Sequence, residues 1–62
     1  KTLFDIQQLL KRFGTYIYTG NRLADLELME DEIRELYELR MIAARDYQTA
    51  MIILKKEKSH YQ

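Results

Sequence analysis

Residues 13–22, Phe-Gly-Thr-Tyr-Ile-Tyr-Thr-Gly-Asn-Arg, decide how this chain is organised, because they separate two segments with a helical pattern of apolar residues. Two glycines enclose two tyrosines and an isoleucine, whereas connections between helices are usually polar and solvated. Tyr16 and Tyr18 must therefore either close one end of a helical core or lie exposed and available for contact. The sequence leaves both interpretations open.

The segment before this connection predicts a first helix over residues 3–13. Thr2 is its expected N-cap, and Gly14 stands where a left-handed residue commonly ends a helix. Phe4 projects away from the apolar face, toward Lys11. The apolar residues that share one face at helical spacing are Leu3, Ile6, Leu9, Leu10 and Phe13.

The segment after the connection predicts a second helix over residues 22–39, with Asn21 as its N-cap. Its acidic residues are expected to cover the surface, since they spread around the helix instead of converging on a metal site. Glu30 and Arg34 have the spacing of an i,i+4 ion pair. The predicted core face consists of Leu23, Leu26, Met29, Ile33, Leu36 and Tyr37.

A third helix is predicted over residues 44–58. Residues 40–43, which separate it from the second helix, contain no Gly, Pro or Ser. A single continuous helix over residues 22–58 is therefore an alternative. Ile42 and Tyr47 have the spacing of a hydrophobic staple around an N-cap at Ala43, which favours a short turn. The predicted core face consists of Ala43, Tyr47, Ala50, Met51 and Leu54.

These patterns predict an all-α fold, a small three-helix bundle that forms a single helical domain over residues 1–62. The chain has no cysteine, and its one histidine, His60, lies near the C-terminus. A catalytic nucleophile with its base is therefore not expected, and we expect no enzymatic activity, no metal and no cofactor. No apolar run reaches the ~20 residues of a membrane span, and the absence of cysteine fits a cytoplasmic protein.

The charges are segregated along the chain although the net charge is zero. Residues 1–22 carry a net charge of +3, residues 23–39 carry −6, and residues 40–62 carry +3. Two interpretations remain open: either the packed helices neutralise one another, or one face presents a basic patch to a polyanion.

A surface that binds single-stranded nucleic acid combines aromatic rings for base stacking with basic side chains. The connection supplies the aromatic rings, and basic residues lie near it and, separately, on the third helix. The acidic second helix disfavours duplex binding because phosphate contacts dominate that affinity. We therefore expect single-stranded RNA or DNA as the partner. The candidate residues are Lys11, Arg12, Tyr16, Tyr18 and Arg22 near the connection, and Arg45, Lys55 and Lys56 on the third helix.

The alternative is a protein–protein interaction adaptor or a homo-oligomerisation module. A core this small suggests self-association, and several apolar residues lie off the predicted core faces. These candidate interface residues are Phe4, Leu28, Leu39 and Ile52.

The run Tyr16-Ile-Tyr-Thr-Gly-Asn-Arg-Leu-Ala-Asp-Leu-Glu-Leu-Met-Glu-Asp-Glu-Ile-Arg-Glu-Leu-Tyr37 resembles the YqgQ family, small cytosolic proteins of Bacillus and related bacteria. The stretches Asp5-Ile-Gln-Gln-Leu-Leu, Phe13-Gly-Thr and Asp46-Tyr-Gln-x-Ala-x-x-Ile-Leu54 also fit, so the resemblance covers nearly the whole chain. It implies a small three-helix protein of poorly defined role, for which single-stranded nucleic-acid binding has been suggested.

Residues 33–54 are also similar to the short helix-turn-helix of SHOCT-type modules. Arg40 stands where a turn glycine is usual in that pattern, and Ala43 stands where a capping Ser or Thr is usual. These two departures concern the geometry of the turn. The matching positions are Ile42, Asp46 and Tyr47.

Overall fold

Three α-helices make up the protein in a computed structural model that describes residues 2–61. Helix α1 spans Leu3–Arg12, α2 spans Arg22–Glu38, and α3 spans Ala44–Lys58, followed by a 3₁₀ turn over Ser59–Tyr61. No strand occurs among the described residues. The predicted all-α three-helix bundle is confirmed, with α2 and α3 as separate helices whose bounds agree with the sequence to within one residue.

The core lies where the three helices meet, and every buried apolar residue comes from a face that the sequence pattern predicted. The prediction is wrong for Phe13, Tyr37 and Ala43, which are exposed. Leu26, Ile33 and Leu54 are completely inaccessible to solvent. Helices α2 and α3 pack antiparallel, since Tyr37 stacks on Tyr47 near the turn, with ring centroids 4.4 Å apart. The buried set is Ile6, Leu10, Leu26, Met29, Ile33, Leu36, Ala50, Met51 and Leu54.

In the part of the chain that the structure describes, no helix has the length and apolar character needed to cross a membrane.

The C-terminus of α1 is closed by a Schellman motif, in which two backbone N–H groups satisfy the last carbonyls of the helix. The N–H of Thr15 donates to the carbonyl of Leu10 at 3.0 Å, and that of Gly14 donates to Lys11 at 2.9 Å. Gly14 has a φ of +83°, the left-handed conformation that glycine adopts without a steric penalty. The sequence prediction for this helix end is therefore confirmed.

Helix α2 ends in the same motif, although no glycine is present. The N–H of Met41 donates to the carbonyl of Leu36 at 2.8 Å, and that of Arg40 donates to Tyr37 at 2.9 Å. Arg40 therefore adopts a φ of +61°, which is unusual for a residue with a Cβ atom. Glycine is the residue that adopts this left-handed conformation most readily, and arginine adopts it here.

Replacing Arg40 by glycine is expected to raise the free energy of unfolding by about 0.5–1 kcal/mol. A left-handed conformation costs a residue with a side chain roughly 1–2 kcal/mol, and the greater freedom of glycine in the unfolded chain offsets part of this gain. Urea unfolding followed by circular dichroism measures the change.

Gly14→Ala is the matched control for this substitution and should shift stability in the opposite direction, by about 1 kcal/mol. A Cβ atom added to Gly14 meets no atom within 4 Å, so the loss arises from backbone conformation alone. An Arg40→Gly variant that is less stable than the wild type would contradict the explanation.

Candidate nucleic-acid interface

The connection between α1 and α2 alternates between partly buried and exposed residues, as an extended segment does. Thr15 and Ile17 are partly buried, and Ile17 packs against the core. Tyr16 and Tyr18 are 76% and 75% exposed. The aromatic rings therefore do not close the end of the bundle, because the isoleucine between them makes that contact instead.

The second half of the connection is anchored to α2 by a buried carboxylate. Asp25 is 4% exposed, and its Oδ1 accepts a hydrogen bond from the N–H of Thr19 at 2.8 Å and another from the Thr19 hydroxyl. Asn21 caps α2 as predicted, since its Oδ1 accepts from the N–H of Ala24 at 2.9 Å. The expectation that the acidic residues cover the surface is wrong for Asp25, because this side chain holds the loop.

Lys11 lies beside one of the exposed rings. Its Nζ is 5.9 Å from the centroid of Tyr16, within the range of a cation–π contact. Phe4 precedes Lys11 by seven residues, which places it about 10 Å away along the same side of α1, and it is also exposed. We call the surface formed by Phe4, Lys11, Tyr16 and Tyr18 the aromatic surface.

Arg12 lies on a different side of α1 from Lys11. It lines a groove of about 400 Å³ between α1 and α3. Consecutive helical residues point about 100° apart, which is why Arg12 faces the groove whereas Lys11 faces Tyr16. The groove is lined by Asp5, Gln8, Arg12, Asp46 and Thr49 around a floor of Ile6, Leu9, Ala50 and Ile53.

The remaining basic candidates form no cation–π contact with Tyr16 or Tyr18 among residues 2–61. Arg22 is the exposed first residue of α2, and Arg45, Lys55 and Lys56 are exposed on α3. Among residues 2–61, Lys11 is the basic side chain that forms a cation–π contact with an exposed tyrosine. The predicted set of basic residues is thus divided among several surfaces.

The ion pairs of the described residues leave most of the charges unpaired. Arg34 pairs with Asp31 at 3.1 Å on the surface of α2, and Lys58 pairs with Glu30 at 2.9 Å between α3 and α2. The predicted pair between Glu30 and Arg34 is wrong, because Glu30 is 5% exposed and points into the helix interface. Neutralisation between neighbouring helices therefore rests, within residues 2–61, on a single ion pair.

Glu30 is the second acidic residue that the structure buries against expectation. Its Oε1 accepts from Lys58, whereas its Oε2 is buried without a hydrogen-bond partner. A half-satisfied buried carboxylate contributes little net stability. The sequence could not identify Lys58 as the partner, since 28 residues separate the two.

The apolar residues of the alternative interface are all exposed, as expected from their positions off the core faces. Phe4 belongs to the aromatic surface, Leu28 and Leu39 lie on and at the end of α2, and Ile52 lies on α3.

A family model described as YqgQ-like matches residues 1–60 of this chain. The uncharacterized protein YqgQ of Bacillus subtilis (strain 168) is 45% identical over 56 residues, which cover 90% of this chain and 79% of that protein. The family match includes all three helices and the aromatic connection between the first two.

Proposed function

The chain belongs to the YqgQ-like family, and from this starting point we propose that it is a non-enzymatic cytoplasmic protein that binds single-stranded RNA or DNA through the aromatic surface. The observation that carries the proposal is the open position of two tyrosines on an anchored connection. Tyr16 and Tyr18 are about three-quarters exposed, and Lys11 lies beside the first ring.

Exposed tyrosines suit single strands because every base has a flat face that stacks on an aromatic ring, which is worth ~1–3 kcal/mol per base. Tyr16 and Tyr18 lie two residues apart on an extended segment, a separation of roughly 7 Å. This is about twice the 3.4 Å rise per base, so one base has room between the rings. Ile17 and Asp25 hold the connection in place before binding, which lowers the entropy cost of ordering it.

The charges around the aromatic surface favour a short single strand over a duplex. Lys11 forms no ion pair within residues 2–61, and neither does Arg22, which follows the connection. A duplex engages many phosphates at once, and the acidic residues of α2 oppose that approach. A short single strand engages only a few phosphates, so this repulsion costs it less.

A labelled oligonucleotide of about ten thymidines is expected to bind with an affinity that falls as salt rises. If Lys11 and Arg22 each neutralise one phosphate, the logarithm of the association constant should fall with the logarithm of salt with a slope of about −1.4. Fluorescence anisotropy at several salt concentrations measures this slope. Lys11→Gln should halve it to about −0.7.

A duplex of the same length is the control ligand and should bind more weakly. Affinity that does not change with salt, or no binding below millimolar concentrations, would rule out the proposal and leave protein–protein contact as the better candidate. That alternative is supported by the exposed Leu28, Leu39 and Ile52.

A further inference from the structure

Helix α3 presents an outer face that combines an exposed isoleucine with unpaired positive charges. Ile52 is 68% exposed, and two lysines follow it at three and four residues, the spacing of neighbours on a helix surface. The acidic residues Asp46 and Glu57 lie about 120° and 140° around the helix from Ile52. We call this the basic face, formed by Arg45, Ile52, Lys55 and Lys56.

Helix α2 presents the complementary arrangement. Leu28 is 43% exposed, and carboxylates follow it at three, four and seven residues. Arg34, the basic residue that follows Leu28 in α2, lies about 120° around the helix from it. We call this the acidic face, formed by Leu28, Asp31, Glu32 and Glu35.

The two faces do not neutralise each other within one molecule. Between α2 and α3, the ion pair that forms among residues 2–61 joins Glu30 to Lys58, and neither residue belongs to a face. Asp31 pairs with Arg34 in an exposed contact, which is worth at most about 1 kcal/mol and exchanges readily. The three cations of the basic face form no ion pair in this part of the chain.

We propose that the basic face of one molecule docks on the acidic face of a second copy of this chain. With Leu28 set against Ile52 and the two helices parallel, the carboxylates three and four residues after Leu28 meet the ammonium groups three and four residues after Ile52. An antiparallel arrangement places Gln48 and Thr49 opposite those carboxylates and leaves one charge pair, Glu35 with Arg45, instead of two. The charge pattern therefore selects the parallel arrangement.

A second copy fits this surface because the complementary pattern is present in the same sequence, with an apolar residue at the same place in both faces. The zero formal charge removes the long-range repulsion that keeps charged proteins apart. Since the two faces are different, the contact is heterologous, and it builds a closed ring or an open head-to-tail chain according to the rotation between successive copies. One helix face per partner is a small area, so the association is weak and transient.

Sedimentation velocity of the protein without bound nucleic acid tests the proposal. The average mass should rise with concentration at about 50 mM salt, and the association constant should fall about tenfold or more at about 500 mM salt, because these exposed charges are screened. A wild-type protein that stays monomeric at ~1 mM in low salt would overturn the proposal.

Two neutralised variants identify the faces. Lys55→Gln with Lys56→Gln removes the charge of the basic face, and Asp31→Asn with Glu32→Gln removes that of the acidic face. Each variant alone should stay monomeric, whereas an equimolar mixture should form one-to-one pairs that grow no further, since each partner retains one intact face. Lys11→Gln, outside both faces, should associate like the wild type.

A mixture that stays monomeric would overturn the assignment of the faces. Both neutralised variants keep the aromatic surface and should bind the oligonucleotide as the wild type does, so this proposal and the proposed function can fail independently. If Lys55→Gln with Lys56→Gln abolishes oligonucleotide binding and leaves self-association intact, the basic face binds nucleic acid and the proposal is wrong.

Discussion

Replacing Ile33 by alanine is expected to lower the free energy of unfolding by about 3 kcal/mol and the melting temperature by roughly 12–24 °C. Ile33 has no solvent exposure and belongs to the cluster in which the three helices meet. Its truncation removes buried methyl groups and leaves a cavity that a small core cannot fill. A domain of 62 residues has a total stability of about 3–9 kcal/mol, so this one change removes a large fraction of it.

Ile52→Ala is the matched control, because it makes the same chemical change on the exposed side of α3. Its effect should stay within about 0.5 kcal/mol, and the higher helix propensity of alanine favours a slight gain. Thermal unfolding of both variants, followed by circular dichroism at micromolar concentration, gives the comparison. Equal losses would show that Ile33 is not enclosed by the packing described above.

The helices and the core could be predicted from the sequence because both depend on local spacing. Apolar residues at intervals of three and four define the buried faces, and Asn21 and Gly14 mark helix ends by their individual chemistry. The separation of α2 from α3 was harder to predict, since Arg40 adopts the conformation that glycine usually supplies. The staple spacing of Ile42 and Tyr47 still predicted the correct turn.

The buried carboxylates could not be predicted, because their partners are set by tertiary packing. Glu30 has an arginine at the ideal helical spacing, but the structure pairs it with Lys58 on another helix. Asp25 carries no sequence signal that distinguishes it from the exposed acidic residues of α2, and it is buried because it binds Thr19. Local spacing therefore fails where a side chain has a better partner across an interface.

The candidate site was predicted in its residue types and only partly in its arrangement. Lys11 and Arg12 are adjacent in the sequence, but they lie about 100° apart on α1, so the structure places Lys11 beside Tyr16 and Arg12 in the groove. A helical-wheel projection of the sequence already shows this separation of Lys11 from Arg12. The exposure of Tyr16 and Tyr18 could not be predicted in this way, because it depends on Ile17 packing against the core between them.

The double variant Tyr16→Ala with Tyr18→Ala is expected to weaken oligonucleotide binding about 30-fold or more. Each ring that stacks on a base contributes at least ~1 kcal/mol, and every 1.4 kcal/mol corresponds to about a factor of ten in affinity. Because both side chains are exposed, the stability of the fold should change by less than about 0.5 kcal/mol per substitution. Fluorescence anisotropy and thermal unfolding of the same preparation separate the two effects.

Base stacking and phosphate contacts predict different changes for this double variant, so the experiment distinguishes the two contributions. Removal of the rings leaves Lys11 and Arg22 in place, so the affinity should fall while the salt slope stays near −1.4. Tyr16→Phe with Tyr18→Phe keeps the flat faces and should bind nearly as the wild type does. Tyr61→Ala, an exposed tyrosine in the C-terminal 3₁₀ turn, should have no effect. Equal losses in the alanine and phenylalanine variants would assign the binding to the phenol hydroxyls, and stacking would be excluded as its source.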